Sequence, residues 1–213
     1  MIKGRVTIIF MLIITLLTLK VNGQGKTKKE YMEPTSKCET ITLGAGCFWC
    51  IEAIYSRVNG VISVASGYSG GHTENPTYNE VCTGETGHAE VIQVVYDPSV
   101  IPLAKILEIY FKTHDPTMLN RQGADIGTQY RSVIFYSNDE QKRVAQEVKD
   151  LLNKSGIWSD PIVTLIEPLR NFYKAEGYHQ DYFENNAKQP YCQMVINPKV
   201  EKFEKLFKEY LKK

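Results

Sequence analysis

Two cysteines, Cys47 and Cys50, bracket two large aromatics in GAGCFWC, residues 44–50, just after two glycines. A cysteine where a strand turns into a helix faces unpaired backbone N–H groups and the positive end of the helix dipole, both of which favour the thiolate. Cys47 holds that position, so the expected chemistry is nucleophilic attack by sulfur, with Gly44 and Gly46 permitting a sharp, open turn. Spacing alone leaves three other uses open: a dithiol exchange centre, half of a zinc site, or two structural cysteines. The aromatics narrow them. An exchange centre needs small or rigid residues between its sulfurs, whereas Phe48 and Trp49 offer apolar faces suited to a small apolar group on the reacting atom. Zinc needs a second ligand pair, and neither another CxxC nor a His-x-x-x-His occurs in the sequence.

The elements that must hold this turn follow from the patterning. ETITLGAG reads as a buried strand, and WCIEAIYSRVNG as a helix with Trp49, Ile54 and Val58 at helical spacing and a stop at Asn59-Gly60. VISVASGY is a second strand, running into SGGHTENPTYNEVCTGETGH, a 20-residue stretch long enough to point to function. AEVIQVVYDP is a third strand. In PLAKILEIYFKTHDP the set Leu103, Ile106, Leu107, Tyr110 and Phe111 makes a strongly amphipathic helix. The polar loop NRQGADIGTQY precedes the strand RSVIFY, and SNDE is a capping box for a helix with Val144, Val148, Leu151 and Leu152 on one face and Gly156 at its end. DPIVTLIEPL reads as a fifth strand, NFYKAEGYHQDYFENN as helical, and VEKFEKLFKEYLKK as a terminal helix with Val200, Phe203, Leu206, Phe207 and Tyr210 inward. Strands alternating with helices, plus hairpin-like neighbours, predict an α+β fold with a mixed sheet and helices packed on it.

Basic and acidic residues nearly balance, 25 against 24, so no global field favours nucleic acid or an anionic surface. MIKGR followed by the apolar run Val6 to Leu19 has the layout of a signal peptide over residues 1–23, too short for an ordinary spanning helix. Residues 24–37 read as a disordered lead-in and 38–213 as a single domain. An exported, periplasmic or otherwise extracytoplasmic protein is expected, free of the membrane once the signal is removed. Five cysteines are an odd count, leaving at least one unpaired within the chain, and too few for a disulfide scaffold.

GCFWCIEA, GYSGGHTENPTYNEVCTGETGHAEV, HDPTMLNRQGADIGTQYRSVIF, YKAEGYHQDY and QPYC occur in that order. In motif and order they resemble the A-type peptide methionine sulfoxide reductases, over about Ile41 to Lys199. The resemblance implies a two-layer sandwich with a ferredoxin-like βαβ core. It also implies reduction of methionine sulfoxide of S configuration, free or in oxidised proteins, by a monomer. By that likeness Cys47 attacks the sulfoxide sulfur, Phe48 and Trp49 hold the S-methyl group, and Glu90 gives a proton to the oxygen with help from Tyr78 and Tyr130. Asp125 matches a residue that positions the substrate backbone. The sulfenic acid left on Cys47 is resolved into a disulfide. Cys192 stands where the family carries its resolving cysteine, on a segment that Gln189-Pro190 suggest can swing. Cys50 is the alternative, although a helix would have to flex for its sulfur to reach Cys47. No bound cofactor or metal is implied, only an external dithiol, thioredoxin or a thioredoxin-like protein. Cys38 and Cys82 are read as structural or incidental, and His88 and His179 as scaffolding. Two other classes stay open: general dithiol exchange, and a module that binds oxidised proteins without reducing them.

Overall fold

The structure, a computed structural model, describes residues 38–213. The expected signal peptide and lead-in lie outside the described residues. In chain order come β1 (Glu39–Ala45), α1 (Phe48–Tyr55), β2 (Val61–Ser69), α2 (Tyr78–Cys82), β3 (Ala89–Tyr96) and α3 (Leu103–Thr113). A small hairpin, β4 (Arg121–Gln122) and β5 (Asp125–Ile126), leads to β6 (Ser132–Tyr136), α4 (Asp139–Lys154), β7 (Leu165–Pro168) and β8 (Tyr173–Lys174). The chain continues through α5 (Tyr182–Asn186), a π-helical stretch Cys192–Ile196 and α6 (Asn197–Leu206).

Six strands form one sheet in the order β7-β6-β1-β3-β2-β8. All neighbours are antiparallel except β6 and β7. The four central strands with α1 and α3 make two split βαβ units, β1-α1-β2 and β3-α3-β6, each spanning a strand of the other: the expected ferredoxin-like arrangement. Leu43 of β1 faces Ile92 of β3 and Ile134 of β6 in register. All three belong to the main core, which also takes in Ile51 and Ile54 of α1, Ile106 and Tyr110 of α3, and Val200 and Phe203 of α6. The opposite face carries a smaller cluster, Ala89, Val91, Val133 and Phe135. With side chains alternating along β3, Glu90 shares the helix-side face with Ile92, Val94 and Tyr96.

Several expected elements differ. Helix α1 ends at Tyr55, before Asn59-Gly60. The long stretch after β2 contains α2, whose N-cap Thr77 and N3 Glu80 form a capping box. In α4, Leu151 is 70% exposed. It lies about 100° round the helix, at ~100° per residue, from the centre of a buried stripe formed by Gln141 and Ala145. Gln141 belongs there because its amide bonds Thr40 of β1, at 2.8 Å, and so ties the helix to the sheet. The predicted fifth strand shortens to β7, and the helix expected over residues 171–186 is mostly irregular. Asp181 has φ +50 there, and side chains hold the segment in place of a helical ladder. The amide of Gln180 does so by accepting from Ser66 N and donating to Ser66 O and Ala175 O. Helix α6 stops at the exposed Leu206, and the chain leaves helical geometry at Phe207, which turns back into the core.

Candidate active site

Strand β1 delivers the chain to Gly46, whose φ of +84 makes the turn into α1. A Cβ there would lie 2.5 Å from Gln122 Cβ, so glycine is required for conformation and for space. Gln122 is itself fixed by donating to Asp115 O and accepting from Asp115 N. Cys47 follows as the N-cap of α1, with ψ 125, and is 6% exposed.

The first orphan N–H of the helix is taken by the predicted acid. Phe48 N donates to Glu90 Oε2 at 3.0 Å, across 42 residues of sequence. Burial pushes the Glu90 carboxyl up to about 8, the Phe48 N–H opposes it, and nearby Asp125 and Cys50 add to it. Glu90 therefore keeps its proton at neutral pH, beside the sulfur.

The thiols differ from the expectation that the helix end makes Cys47 the resting thiolate. Cys47 is raised well above the ordinary thiol value, by burial first, then by its hydrogen bond to Cys50 and the charges of Cys50 and Glu90. Cys50 is lowered to about 7, by the hydrogen bond with Cys47 first and by Lys199, against burial. Lys199 Nζ donates to Cys50 Sγ at 3.4 Å. The hydrogen bond between the thiols and the Lys199 cation both favour negative charge on Cys50 over Cys47. The two sulfurs meet at hydrogen-bonding distance with α1 intact. An N-cap side chain leans over the first turn and meets the residue at N3, the spacing of a capping box.

Cys192 is also corrected in its setting. It opens the π-helical stretch, fully buried, in place of a swinging loop. Its thiol is raised by burial and by the charge of Cys50, so three sulfurs converge. Cys38 and Cys82 are exposed.

Aromatic side chains wall the site. Phe48 is fully buried and stacks with Tyr78, ring centres 6.5 Å apart. Trp49 lies flat on Tyr182 at 3.6 Å and donates from Nε1 to His179 Nδ1 at 3.1 Å. Glu176 accepts from Tyr68 Oη and from Tyr78 N, fixing one corner of the wall. Burial first holds the hydroxyls of Tyr78 and Tyr130 protonated, and Glu90 contributes to both. Tyr78 also hydrogen-bonds the Cys82 sulfur. Asp125, half-buried, accepts from Tyr191 Oη at 3.0 Å. The same hydroxyl reaches the Cys47 sulfur, to which its single proton can be donated instead.

Sequence reasoning gave no role to Tyr191, Tyr182, Glu176 or Lys199. The first three lie in the quoted motifs YKAEGYHQDY and QPYC. Lys199 gives no sequence signal, being one lysine in a lysine-rich C-terminal segment.

The sequence model of the family described as peptide methionine sulfoxide reductase matches residues 39–211. The chain belongs to the peptide methionine sulfoxide reductases. It is 54% identical over 175 residues to the peptide methionine sulfoxide reductase MsrA of Saccharolobus solfataricus, covering 82% of this chain and 97% of that relative. To the MsrA of Trichodesmium erythraeum it is 53% identical over 169 residues, covering 79% and 96%. Among solved structures, reduced Mxr1 from Saccharomyces cerevisiae is 38% identical, with a TM-score of 0.68, over 74% of this chain and 91% of that one. Methionine sulfoxide reductase A of Corynebacterium diphtheriae has the same identity and score, over 70% and 76%. As a reductase of this family the chain is an oxidoreductase that reduces methionine sulfoxide.

Proposed function

We propose that the reductase acts on the S epimer of methionine sulfoxide, free or in oxidised proteins, through Cys47 with Glu90 as its acid. The observation that carries this reading is a buried carboxyl, protonated at neutral pH, bonded to the N–H of the residue next to the nucleophile. As Cys47 attacks the sulfoxide sulfur, its proton passes to Cys50. The oxygen gains negative charge and takes the proton of Glu90, while Tyr78 and Tyr130 donate hydrogen bonds to it. Transfer of the oxygen releases methionine and leaves Cys47 as a sulfenic acid. Phe48 and Trp49 supply the apolar surface for the S-methyl group, and Asp125 orients the substrate backbone. A neighbouring thiol, Cys192 or Cys50, then closes a disulfide with loss of water, and thioredoxin or a thioredoxin-like dithiol reopens it. The enzyme works without a bound cofactor, as a monomer on the outer side of the membrane, once residues 1–23 are removed.

The test is chiral. Purified protein receives both methionine sulfoxide epimers and dithiothreitol, and the loss of each is followed. Selective loss of the S form is expected in the wild type and none in Cys47→Ser; consumption of the R form, or activity in the serine variant, contradicts the reading.

A further inference from the structure

The lysine beside the second sulfur has no part in the chemistry proposed so far. Lys199 comes from the far end of the chain, yet it points inward to a fully buried thiol instead of into water. The π-helical stretch Cys192–Ile196 lies just before it and explains the aim. Such a stretch inserts an extra residue into the helical ladder, and with 3.6 residues per turn its removal would rotate α6 by roughly 100°. Without that insertion Lys199 would face away from Cys50.

We propose that Lys199 is a positioning residue that holds the negative charge of the thiol pair on Cys50, and that Cys50 is the sulfur that attacks the Cys47 sulfenic acid. This rests on the proposed role of Cys47 as nucleophile. In the step, Cys50 gives up the proton it took from Cys47 and, as its thiolate, uses its electron pair to form the S–S bond. The S–O bond of the sulfenic acid breaks, and the oxygen leaves with its electron pair and takes that proton to become water. Both sulfurs end in a disulfide, and the two electrons gained by the substrate have come from the pair. Cys47 is the N-cap of α1 and Cys50 its third residue, so the bond closes within the first helical turn, which must adjust to bring the Cβ atoms to about 4 Å.

The pair titrates as a unit. Groups facing Cys50 are Cys47 at the head of α1, Lys199 from α6, Asp125 from β5, Glu90 from β3, and Tyr191 and Cys192 from the segment before α6. Lys199 is the cation in that set, so its removal raises the pH at which the pair loses its first proton.

The experiment is the rate of disulfide formation after one equivalent of methionine sulfoxide, against pH, in wild type, Lys199→Met and Lys199→Arg. Wild type should rise through about 7. Lys199→Met should shift that rise upward by one unit or more, making it about tenfold slower at pH 6 and convergent with wild type at high pH. Lys199→Arg should restore the profile, a rescue that a packing role would not give. Peptide mapping of the oxidised protein should find Cys47 joined to Cys50. An unmoved profile in Lys199→Met, or a Cys47–Cys192 disulfide formed at the wild-type rate in Cys50→Ser, overturns the proposal while leaving Cys47 as nucleophile. Failure of wild type to release one methionine per enzyme would instead strike the role of Cys47 itself.

Discussion

The residues proposed as nucleophile and acid stand on regular structure, whereas the aromatic wall across from them stands on side chains. Cys47, Phe48 and Glu90 take their places from β1, α1 and β3, three elements joined by ladder and helix hydrogen bonds and packed into the main core. The segment from Leu169 to Asn186 holds only a two-residue strand, a three-residue 3-10 turn (Gly177–His179) and a five-residue helix. Its fixed points include Asn171, Glu176, His179 and Gln180, each bonding another part of the chain through a side chain. Moving the first region would break many cooperative backbone bonds; moving the second breaks fewer bonds, mostly made by individual side chains. Bond-making chemistry is thus assigned to the rigid side, and adjustment to substrates of different bulk belongs to the wall.

Changes on the two sides should separate accordingly. Glu90→Gln keeps an acceptor for Phe48 N–H but no ionisable proton, and should lower the rate of methionine formation by about 10²–10⁴-fold with little change in KM. Stopped single turnovers measure it. Glu176→Ala acts on the wall: it strips the acceptor from Tyr68 Oη and Tyr78 N. A loss of about 2 kcal/mol in denaturant unfolding is expected, together with a several-fold rise in KM larger than the fall in kcat. An equal loss of kcat would erase the distinction between the regions. Leu151→Lys, on the exposed face of α4 and remote from both, should change stability by less than ~0.5 kcal/mol.

The same contrast governs what is legible in the sequence. Alternation along AEVIQVVY and the 3.6-residue pattern of α3 are produced by burial against the core, so strands, helices and the inward face of Glu90 can be read. Side-chain tethers leave no periodicity, so residues 171–186 resemble a helix in sequence and the stop of α6 at Leu206 leaves no signal. The motif residues Cys47, Glu90, Tyr78, Tyr130 and Asp125 do converge, together with Cys50 and Cys192. The helix end is visible in the sequence and points to Cys47 as the charged sulfur, whereas Lys199 of α6, which contacts Cys50, is not visible there.

The pH dependence of methionine formation in a single turnover tests the pairing of thiol and acid most directly. The active state has lost one proton from the Cys47–Cys50 pair and kept the proton of Glu90. The rate should therefore rise through about 7 and fall about tenfold per unit above about 8. In Glu90→Gln the falling limb should vanish. A wild-type rate that stays level from pH 8 to about 10, or a falling limb that survives in the glutamine variant, would contradict Glu90 as the acid.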